Sequence, residues 1–187
     1  MMTFVCGGVR SGKTSYAEGW MLQSNLSHLH YVATGVVTDS EMQERVFRHQ
    51  KDRKQSRRSW QTWEQPTTID QLSFTEDDAV LLDCLTTWVT NEMMVPQGKR
   101  PDDLIDFLIE QLDRLIADTG ELYIISNDLT RDLPSSSELV QDYLYILGTI
   151  HKYVIRQADQ AIEMVFGQPI FHKGEKYERN NDSRNSF

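Results

Sequence analysis

The sequence contains few cysteines and no long apolar runs. Its two cysteines, Cys6 and Cys84, lie inside apolar segments and are too few for a disulfide framework, so we expect buried free thiols. The longest apolar runs, such as 79–82 and 144–147, fall far short of the roughly 20 residues that cross a bilayer. The N-terminus also lacks the basic region, apolar stretch and cleavage site of a secretory signal. We therefore expect a cytoplasmic protein without stable membrane insertion.

Basic residues are scarce as well. Lys and Arg total 19 against 28 Asp and Glu, a net charge of −9. This balance argues against a nucleic-acid-binding face and against a polybasic membrane dock. Hydrophobic residues make up 39% of the 187, enough for one core but lean for two. We expect a single domain over residues 1–172, followed by a polar, loosely ordered tail over 173–187.

Apolar segments and amphipathic segments alternate along the chain. Strands are predicted at 3–6, 30–34, 60–64, 79–82, 122–126 and 161–166, the last of them before Pro169. Helices are predicted at 16–22, from 39 to the low fifties, from Pro101 to a cap at Gly120, and at 137–158. This alternation predicts an α/β fold, with a mostly parallel sheet covered by helices on both faces.

A glycine-rich loop between the first predicted strand and helix is the strongest motif. Its residues are Gly7, Gly8, Val9, Arg10, Ser11, Gly12, Lys13 and Thr14. They match G-x-x-x-x-G-K-[ST], and the strand–loop–helix context is the one that this motif requires. Backbone N–H groups of such a loop surround phosphate oxygens, Lys13 reaches the outer phosphates, and the Thr14 hydroxyl can ligate Mg²⁺. The loop predicts a P-loop NTPase-like fold, the alternative being a chance glycine turn before a helix.

Asp83 is the second candidate site residue. It ends the apolar run 80–82, as a Walker B carboxylate does at the carboxyl end of a strand. In that position it would hold Mg²⁺ directly or through water. The alternative is an N-cap of the following helix, and the two roles are compatible.

His49 has two interpretations. On the helix predicted from residue 39, Arg45 and Arg53 lie one turn away on either side of it. It is either a surface or half-buried histidine, or a nucleophile or acid/base group near phosphates that the two arginines attract. Spacing alone does not decide between these roles.

The tryptophans are interpreted as packing residues rather than as a platform on which a base stacks. These are Trp60, Trp63 and Trp88. The remaining histidines show no spacing with Cys6 or Cys84 that suggests a zinc site.

Several further segments, in order and spacing, resemble one family over residues 1 to about 130. They are Tyr31-Val32-Ala33-Thr34, Glu41-Met42 leading into Arg45-Val46-Phe47-Arg48-His49 with Arg53, Trp60-Gln61-Thr62-Trp63-Glu64-Gln65-Pro66, Leu81-Leu82-Asp83-Cys84-Leu85-Thr86 with Asn91, and Ser126-Asn127. Together with the glycine-rich loop, this set resembles the bifunctional adenosylcobinamide kinase/adenosylcobinamide-phosphate guanylyltransferase family of cobalamin biosynthesis.

The resemblance implies a two-step function that uses ATP, GTP and Mg²⁺. A nucleoside triphosphate phosphorylates the aminopropanol hydroxyl of adenosylcobinamide; GTP then transfers GMP to a histidine, which passes it to adenosylcobinamide phosphate to give adenosylcobinamide-GDP. His49 matches the guanylylated histidine of the family, and Lys13 is the other expected catalytic residue. The nucleotide-contacting segments of the family correspond to Gly7 to Thr14, Ala33, Thr34, Gly35, Gln50, Lys51, Asp52, Arg53, Glu64 and Asp83. Homotrimers in the family imply a homo-oligomer here.

Two other functions remain open from the sequence. One is a different small-molecule P-loop kinase in which His49 is only structural. The other is a regulatory protein that binds GTP or ATP without turnover. Guanylylation of His49 would exclude the first, and pyrophosphate release or phosphate transfer would exclude the second.

Overall fold

The computed structural model describes residues 1–36, 53, 56, 58–95, 99–128 and 137–175. Its strands are β1 (Met2–Gly7), β2 (His28–Ala33), β3 (Trp60–Glu64), β4 (Asp78–Asp83), β5 (Glu121–Asn127), β6 (Gln160–Val165) and β7 (Gln168–Lys173). Its helices are α1 (Lys13–Met21), α2 (Leu85–Met94), α3 (Pro101–Asp118) and α4 (Glu138–Gln157), with a 3₁₀ turn at Ile69–Gln71.

The strands form one sheet in the order β3-β2-β4-β5-β1-β6-β7. Every neighbouring pair is parallel except β6 with β7. The predicted mostly parallel sheet is confirmed. One strand, β5, separates β1, which leads into the glycine-rich loop, from β4, which ends at Asp83.

Helices cover both faces of the sheet, as predicted. Successive side chains of β4 point to opposite faces, so Leu81 packs in one core cluster with Ala17 and Met21 of α1. Val80 and Leu82 pack in a second core cluster, which contains the buried apolar residues of α2, α3 and α4. Because both faces are covered, β4 is buried along nearly its whole length and reads as a continuous apolar run.

Two local expectations are wrong. The strand predicted at 161–166 is not the last, because β7 follows it and contains Pro169. Proline lacks an N–H and fits there because β7 is an outer strand of the sheet. Gly120 does not cap α3, whose C-cap is Thr119; a Cβ on Gly120 would lie 2.0 Å from the carbonyl oxygen of Glu76, so glycine permits a close backbone approach.

The amino ends of β2 and β4 share a polar cluster around the buried carboxylate of Asp78. The two histidine side chains of β2, His28 and His30, both contact Oδ1 of Asp78, at 3.0 and 3.1 Å. The Trp63 indole donates to Nδ1 of His30 (3.1 Å), so the His30 ring donates to Asp78 from Nε2. The other carboxylate oxygen, Oδ2, accepts bonds from the backbone N–H and the hydroxyl of Thr75. The cluster ties two neighbouring strands together at the end opposite Asp83.

Two sequence expectations about the interior hold within the described residues, except that Cys6 is not fully buried as expected. Cys6 and Cys84 are free, Cys84 being buried and Cys6 half-buried. Trp88 is fully buried in the core, in agreement with a packing role. None of the helices in the described ranges has the length and apolar composition needed to cross a membrane. The helix predicted from residue 39 lies outside these ranges apart from Arg53.

Candidate nucleotide-binding site

The glycine-rich loop joins β1 to α1 and depends on glycine at two positions. Gly7 and Gly12 have positive φ angles of 149° and 93°. A Cβ on Gly7 would also lie 2.5 Å from the carbonyl oxygen of Met164 in β6, so no side chain fits there. Gly12 is the N-cap of α1 and offers no side-chain cap, which leaves the first-turn N–H groups for an anion.

Lys13 folds back across this loop. Its ammonium donates hydrogen bonds to the carbonyl oxygens of Gly7 (2.9 Å) and Gly8 (2.7 Å), and its side chain is buried. The first residue of α1 therefore holds a buried positive charge beside the amides of the loop. This combination of a cation, a helix N-terminus and glycine amides suits a polyphosphate.

Thr14 and Asp83 meet across the carboxyl end of the sheet. The Thr14 hydroxyl donates to Oδ2 of Asp83 at 3.0 Å, and the Tyr31 hydroxyl donates to the same oxygen at 2.7 Å. Asp83 does not cap α2, since the N-cap residue is Cys84, which makes no side-chain cap hydrogen bond. Of the two interpretations of Asp83, the geometry agrees with a carboxylate that faces the phosphate loop.

The pair formed by Thr14 and Asp83 fits the requirements of Mg²⁺. Mg²⁺ prefers oxygen ligands and usually binds through one or two protein oxygens, with nucleotide phosphates and water completing its shell. A hydroxyl and a carboxylate oxygen 3.0 Å apart beside a phosphate loop supply those protein oxygens. In the described part of the chain, no group of three or more His, Cys, Asp or Glu side chains forms a metal site by itself.

Tyr31 connects Asp83 to an ion pair. The guanidinium carbon of Arg53 lies 3.7 Å from the centre of the Tyr31 ring, and Arg53 Nη1 is 2.9 Å from Oε1 of Glu18 in α1. Burial, followed by the charge of Asp83 and the hydrogen bond to it, raises the pKa of Tyr31 well above its ordinary value. Tyr31 therefore remains a proton donor to Asp83 at neutral pH.

Other predicted residues lie at the carboxyl ends of neighbouring strands. Glu64 of β3, Ala33 of β2 and Asp83 of β4 occupy one register row, with Glu64 exposed. Beyond β2, the Thr34 hydroxyl donates to the Cys84 carbonyl (2.9 Å) and accepts from the Cys84 N–H (2.8 Å). The half-buried Gly35 follows directly.

Four predicted site residues lie outside the described ranges: His49, Gln50, Lys51 and Asp52. Arg53, the next residue, is described, and it contacts α1 and Tyr31 rather than solvent. Sequence reasoning assigned no role to Tyr31 or Glu18. Tyr31 stands in a buried strand like any core aromatic residue, and nothing near Glu18 marks it as the partner of Arg53.

The hairpin of β6 and β7 lies against the other side of the loop. The N–H of Gly167 in its turn donates to the carbonyl oxygen of Ser11 at 3.2 Å. Cys6, just before the loop, packs against the core cluster that contains residues of α2, α3 and α4. Burial, with contributions from the charges of Glu163 and Asp128, raises the pKa of the Cys6 thiol to about 11, so it stays protonated at neutral pH.

Residues 3–171 match the family model described as cobinamide kinase / cobinamide phosphate guanyltransferase. The chain belongs to this family. It is 30% identical over 178 residues to the bifunctional adenosylcobalamin biosynthesis protein CobP of Pseudomonas aeruginosa, covering 94% of this chain and 99% of that protein. The bifunctional adenosylcobalamin biosynthesis proteins CobU of Salmonella typhimurium and Escherichia coli are 28% and 27% identical, with 89% of this chain and 97% of each relative covered.

Two solved structures resemble this cobinamide kinase/guanyltransferase family member in fold. The flagellar accessory protein FlaH of Methanocaldococcus jannaschii aligns with a TM-score of 0.48 and 14% identity, over 92% of this chain and 78% of FlaH. An ATPase of the type III secretion system of pathogenic bacteria aligns with a TM-score of 0.47 and 10% identity, over 88% of this chain and 51% of that one.

Proposed function

We propose that this protein phosphorylates adenosylcobinamide and then guanylylates the phosphate, so that both activities reside in one P-loop domain over residues 1–172. The observation that carries the proposal is the contact of Thr14 with Asp83 at 3.0 Å beside the buried ammonium of Lys13. This contact places a carboxylate that suits Mg²⁺ beside a loop that suits phosphates, in a chain that matches the family over residues 3–171.

In the kinase step, the aminopropanol hydroxyl of adenosylcobinamide attacks the γ-phosphorus of ATP or GTP. The new O–P bond forms as the bond to the β,γ-bridging oxygen breaks, and the nucleoside diphosphate leaves. Lys13 and the N–H groups of the loop hold the phosphates and stabilise the charge that develops on the leaving group. Thr14 and Asp83 would hold Mg²⁺, which would supply Lewis-acid neutralisation of the charge on the outer phosphates.

In the guanylyltransferase step, a neutral ring nitrogen of His49 attacks the α-phosphorus of GTP and pyrophosphate leaves. The phosphate of adenosylcobinamide phosphate then attacks the resulting phosphoramidate, which forms the diphosphate of adenosylcobinamide-GDP and frees the histidine. The contacts of Arg53 support the proposed role of His49. Arg53 follows His49 by four residues, and its contacts with Glu18 and Tyr31 hold the end of that segment beside Asp83.

The test is incubation with α-labelled GTP and Mg²⁺, followed by denaturing electrophoresis and peptide mapping. The wild-type protein should gain a GMP-sized mass on the peptide containing His49. A histidine phosphoramidate is labile to acid and comparatively stable to alkali, so acid should remove the label. His49→Ala should lose the label and the guanylyltransferase step yet keep kinase activity, because phosphoryl transfer to a hydroxyl requires no covalent intermediate.

His172→Ala is the matched control, since His172 is an exposed histidine on β7 that pairs with Glu163. This variant should be labelled as the wild type is. Label on the His49→Ala variant, or on a peptide without His49, would disprove the assignment. A wild-type protein that phosphorylates the corrinoid but takes up no label would be a kinase alone.

The family resemblance extends the proposal to assembly. We expect a homotrimer, which sedimentation velocity measures directly. A monomer that retains both activities would contradict this part of the proposal and leave the chemistry standing.

A further inference from the structure

The turn between β6 and β7 carries an exposed aromatic ring. Val165 pairs with Gln168, so the turn consists of Phe166 and Gly167. Their φ angles are +48° and +81°. Two consecutive positive φ angles are the signature of the type I′ hairpin turn, in which Asn-Gly is the favoured pair because asparagine tolerates this conformation. Phenylalanine is therefore an unfavourable residue for the first turn position.

Packing does not explain Phe166 either. Its side chain is 97% exposed, more than any other large hydrophobic residue in the described ranges. An isolated exposed apolar residue is common on protein surfaces. An aromatic ring in a conformation that disfavours it, fully in water, and next to a ligand-binding loop is a stronger indication of a binding role.

The turn lies directly against the glycine-rich loop, and this position points to a nucleotide as the ligand of the ring. The Gly167 N–H donates to the Ser11 carbonyl oxygen at 3.2 Å, and a Cβ on Gly12 would lie 3.8 Å from the Cα atom of Gly167. The hydrogen bond holds the turn directly against the loop, so Phe166 adjoins the loop that would bind a phosphate chain.

The sheet order sets the direction in which a nucleotide would lie. Asp83 ends β4, on one side of β1, whereas β6 and its turn flank β1 on the other side. The outer phosphates of a bound nucleotide point toward the metal-binding pair of Thr14 and Asp83. Its nucleoside end therefore leaves the loop on the side of Phe166.

We propose that the Phe166 ring is the surface on which the nucleobase stacks when the glycine-rich loop holds the phosphates. This inference rests on the proposed function only in requiring a nucleotide in that loop. Stacking on an aromatic ring accepts any base, since every base has a π-face. Phe166 would therefore strengthen the binding of guanine and adenine nucleotides alike without selecting between them.

The tryptophans do not supply this surface. Trp88 is fully buried, and Trp63 packs against His30 with ring centres 6.2 Å apart. Trp60 and Trp63 belong to β3, the edge strand farthest from β6 and β7 in the sheet order. Their distance from the turn excludes them as partners of a base placed there.

Isothermal titration calorimetry with GTP, ATP and inorganic tripolyphosphate tests the inference, because tripolyphosphate has no base. Phe166→Asn removes the ring with a residue that suits the positive φ angle, and Phe166→Tyr keeps a ring. We expect Phe166→Asn to weaken GTP and ATP binding by about tenfold or more and to leave tripolyphosphate binding unchanged. Phe166→Tyr should bind all three ligands as the wild type does. Ile170→Ala, which shortens another exposed apolar residue of the same hairpin, is the matched control and should change none of the affinities.

Three outcomes for Phe166→Asn would overturn the inference alone. The first is unchanged nucleotide binding with an unchanged assembly, and the second is an equal loss of affinity for tripolyphosphate. The third is unchanged nucleotide binding with a smaller assembly in sedimentation velocity. The last outcome would identify Phe166 as a contact between copies of the chain. If the wild-type protein bound neither GTP nor tripolyphosphate, the proposed function would fail and the inference with it.

Discussion

The Tyr31 hydroxyl donates a 2.7 Å hydrogen bond to Oδ2 of Asp83, the same oxygen that accepts the bond from Thr14. The two donors come from different strand–helix units, β2 and α1. Together they orient the carboxylate toward the phosphate loop. Arg53 adds a cation on the Tyr31 ring, so that the chain of contacts from Asp83 extends to Arg53.

Removal of this hydroxyl should weaken both the fold and the metal site. Tyr31→Phe deletes one hydrogen bond to a carboxylate in a buried site, so the free energy of unfolding should fall by about 1.5–3 kcal/mol. With one fewer donor orienting Asp83, half-maximal turnover should require more Mg²⁺. Urea unfolding and a Mg²⁺ titration measure the two effects. Tyr145→Phe, which removes an exposed hydroxyl bonded to Asp102, should alter neither, and equal behaviour of the two variants would contradict the prediction.

Replacement of Asp83 tests its proposed role in metal binding. Asp83→Asn should fold, because the amide oxygen can still accept a hydrogen bond from Thr14 or Tyr31. Loss of the negative charge should raise the Mg²⁺ concentration at half-maximal rate in both reactions. Asp103→Asn removes an exposed carboxylate that pairs with Arg100 and serves as the control. An unchanged Mg²⁺ midpoint and rate in Asp83→Asn would show that this carboxylate binds no metal.

Lys13 is expected to be required for turnover but not for folding. Lys13→Ala removes the ammonium that lies in the glycine-rich loop, and the rate of nucleotide turnover should fall by about 10²–10³ or more. Circular dichroism should show the native helix content. Lys152→Ala, on the exposed side of α4, removes an equal charge and should retain full activity. Turnover near the wild-type rate in a folded Lys13→Ala variant would disprove the role of the loop.

Acid should weaken the cluster at the amino ends of β2 and β4. Burial alone raises the pKa of a carboxyl group, but the hydrogen bonds from Thr75 and His30 outweigh it and hold the pKa of Asp78 below its ordinary value of 3.8. The folded protein therefore binds the proton of Asp78 less readily than the unfolded chain does. The contribution of ionised Asp78 to the free energy of unfolding is therefore present above pH 3.8 and is lost as the pH falls through the lowered pKa.

The variant Asp78→Asn measures this contribution. It should be less stable than the wild type in urea at pH 7, and the difference should narrow below pH 3.8. Asp77→Asn, at the exposed neighbouring position, should follow the wild type at every pH. A difference between wild type and Asp78→Asn that stays constant down to pH 2 would show that the charge of Asp78 contributes nothing.

Much of the fold follows from local sequence signals. The glycine-rich loop has a fixed spacing, and the run from Val80 to Leu82 can only be a buried segment, so β1, α1 and β4 are predictable. Strand β7 is not, because Pro169 usually ends a strand and because an outer strand needs no strong apolar pattern. Strand β7 forms by pairing with β6, and no local pattern around Pro169 predicts that pairing.

The long-range contacts of the site could not be predicted from spacing. Glu18 and Arg53 are both charged residues of a kind that usually faces solvent, and they meet only because α1 packs on the same face of the sheet as Tyr31, the residue that Arg53 contacts. The same holds for Gly167 and Ser11, whose hydrogen bond depends on the hairpin lying beside the loop. For Asp83, the sequence left two roles open, and the position of Cys84 as the cap of α2 distinguished them.

The place of β1 in the sheet has a consequence for synthesis on the ribosome. Its two neighbours are β5 and β6, so Met2 pairs with Leu122 and Thr3 with Gln160. Strand β1 has no partner until β5 and β6 have been translated, and pairings so distant in sequence form slowly. Until then, the apolar segment from Met2 to Val5 stays exposed to aggregation and to chaperones. The strand that leads into the glycine-rich loop is therefore made before β5 and β6 but completes its pairing only after them.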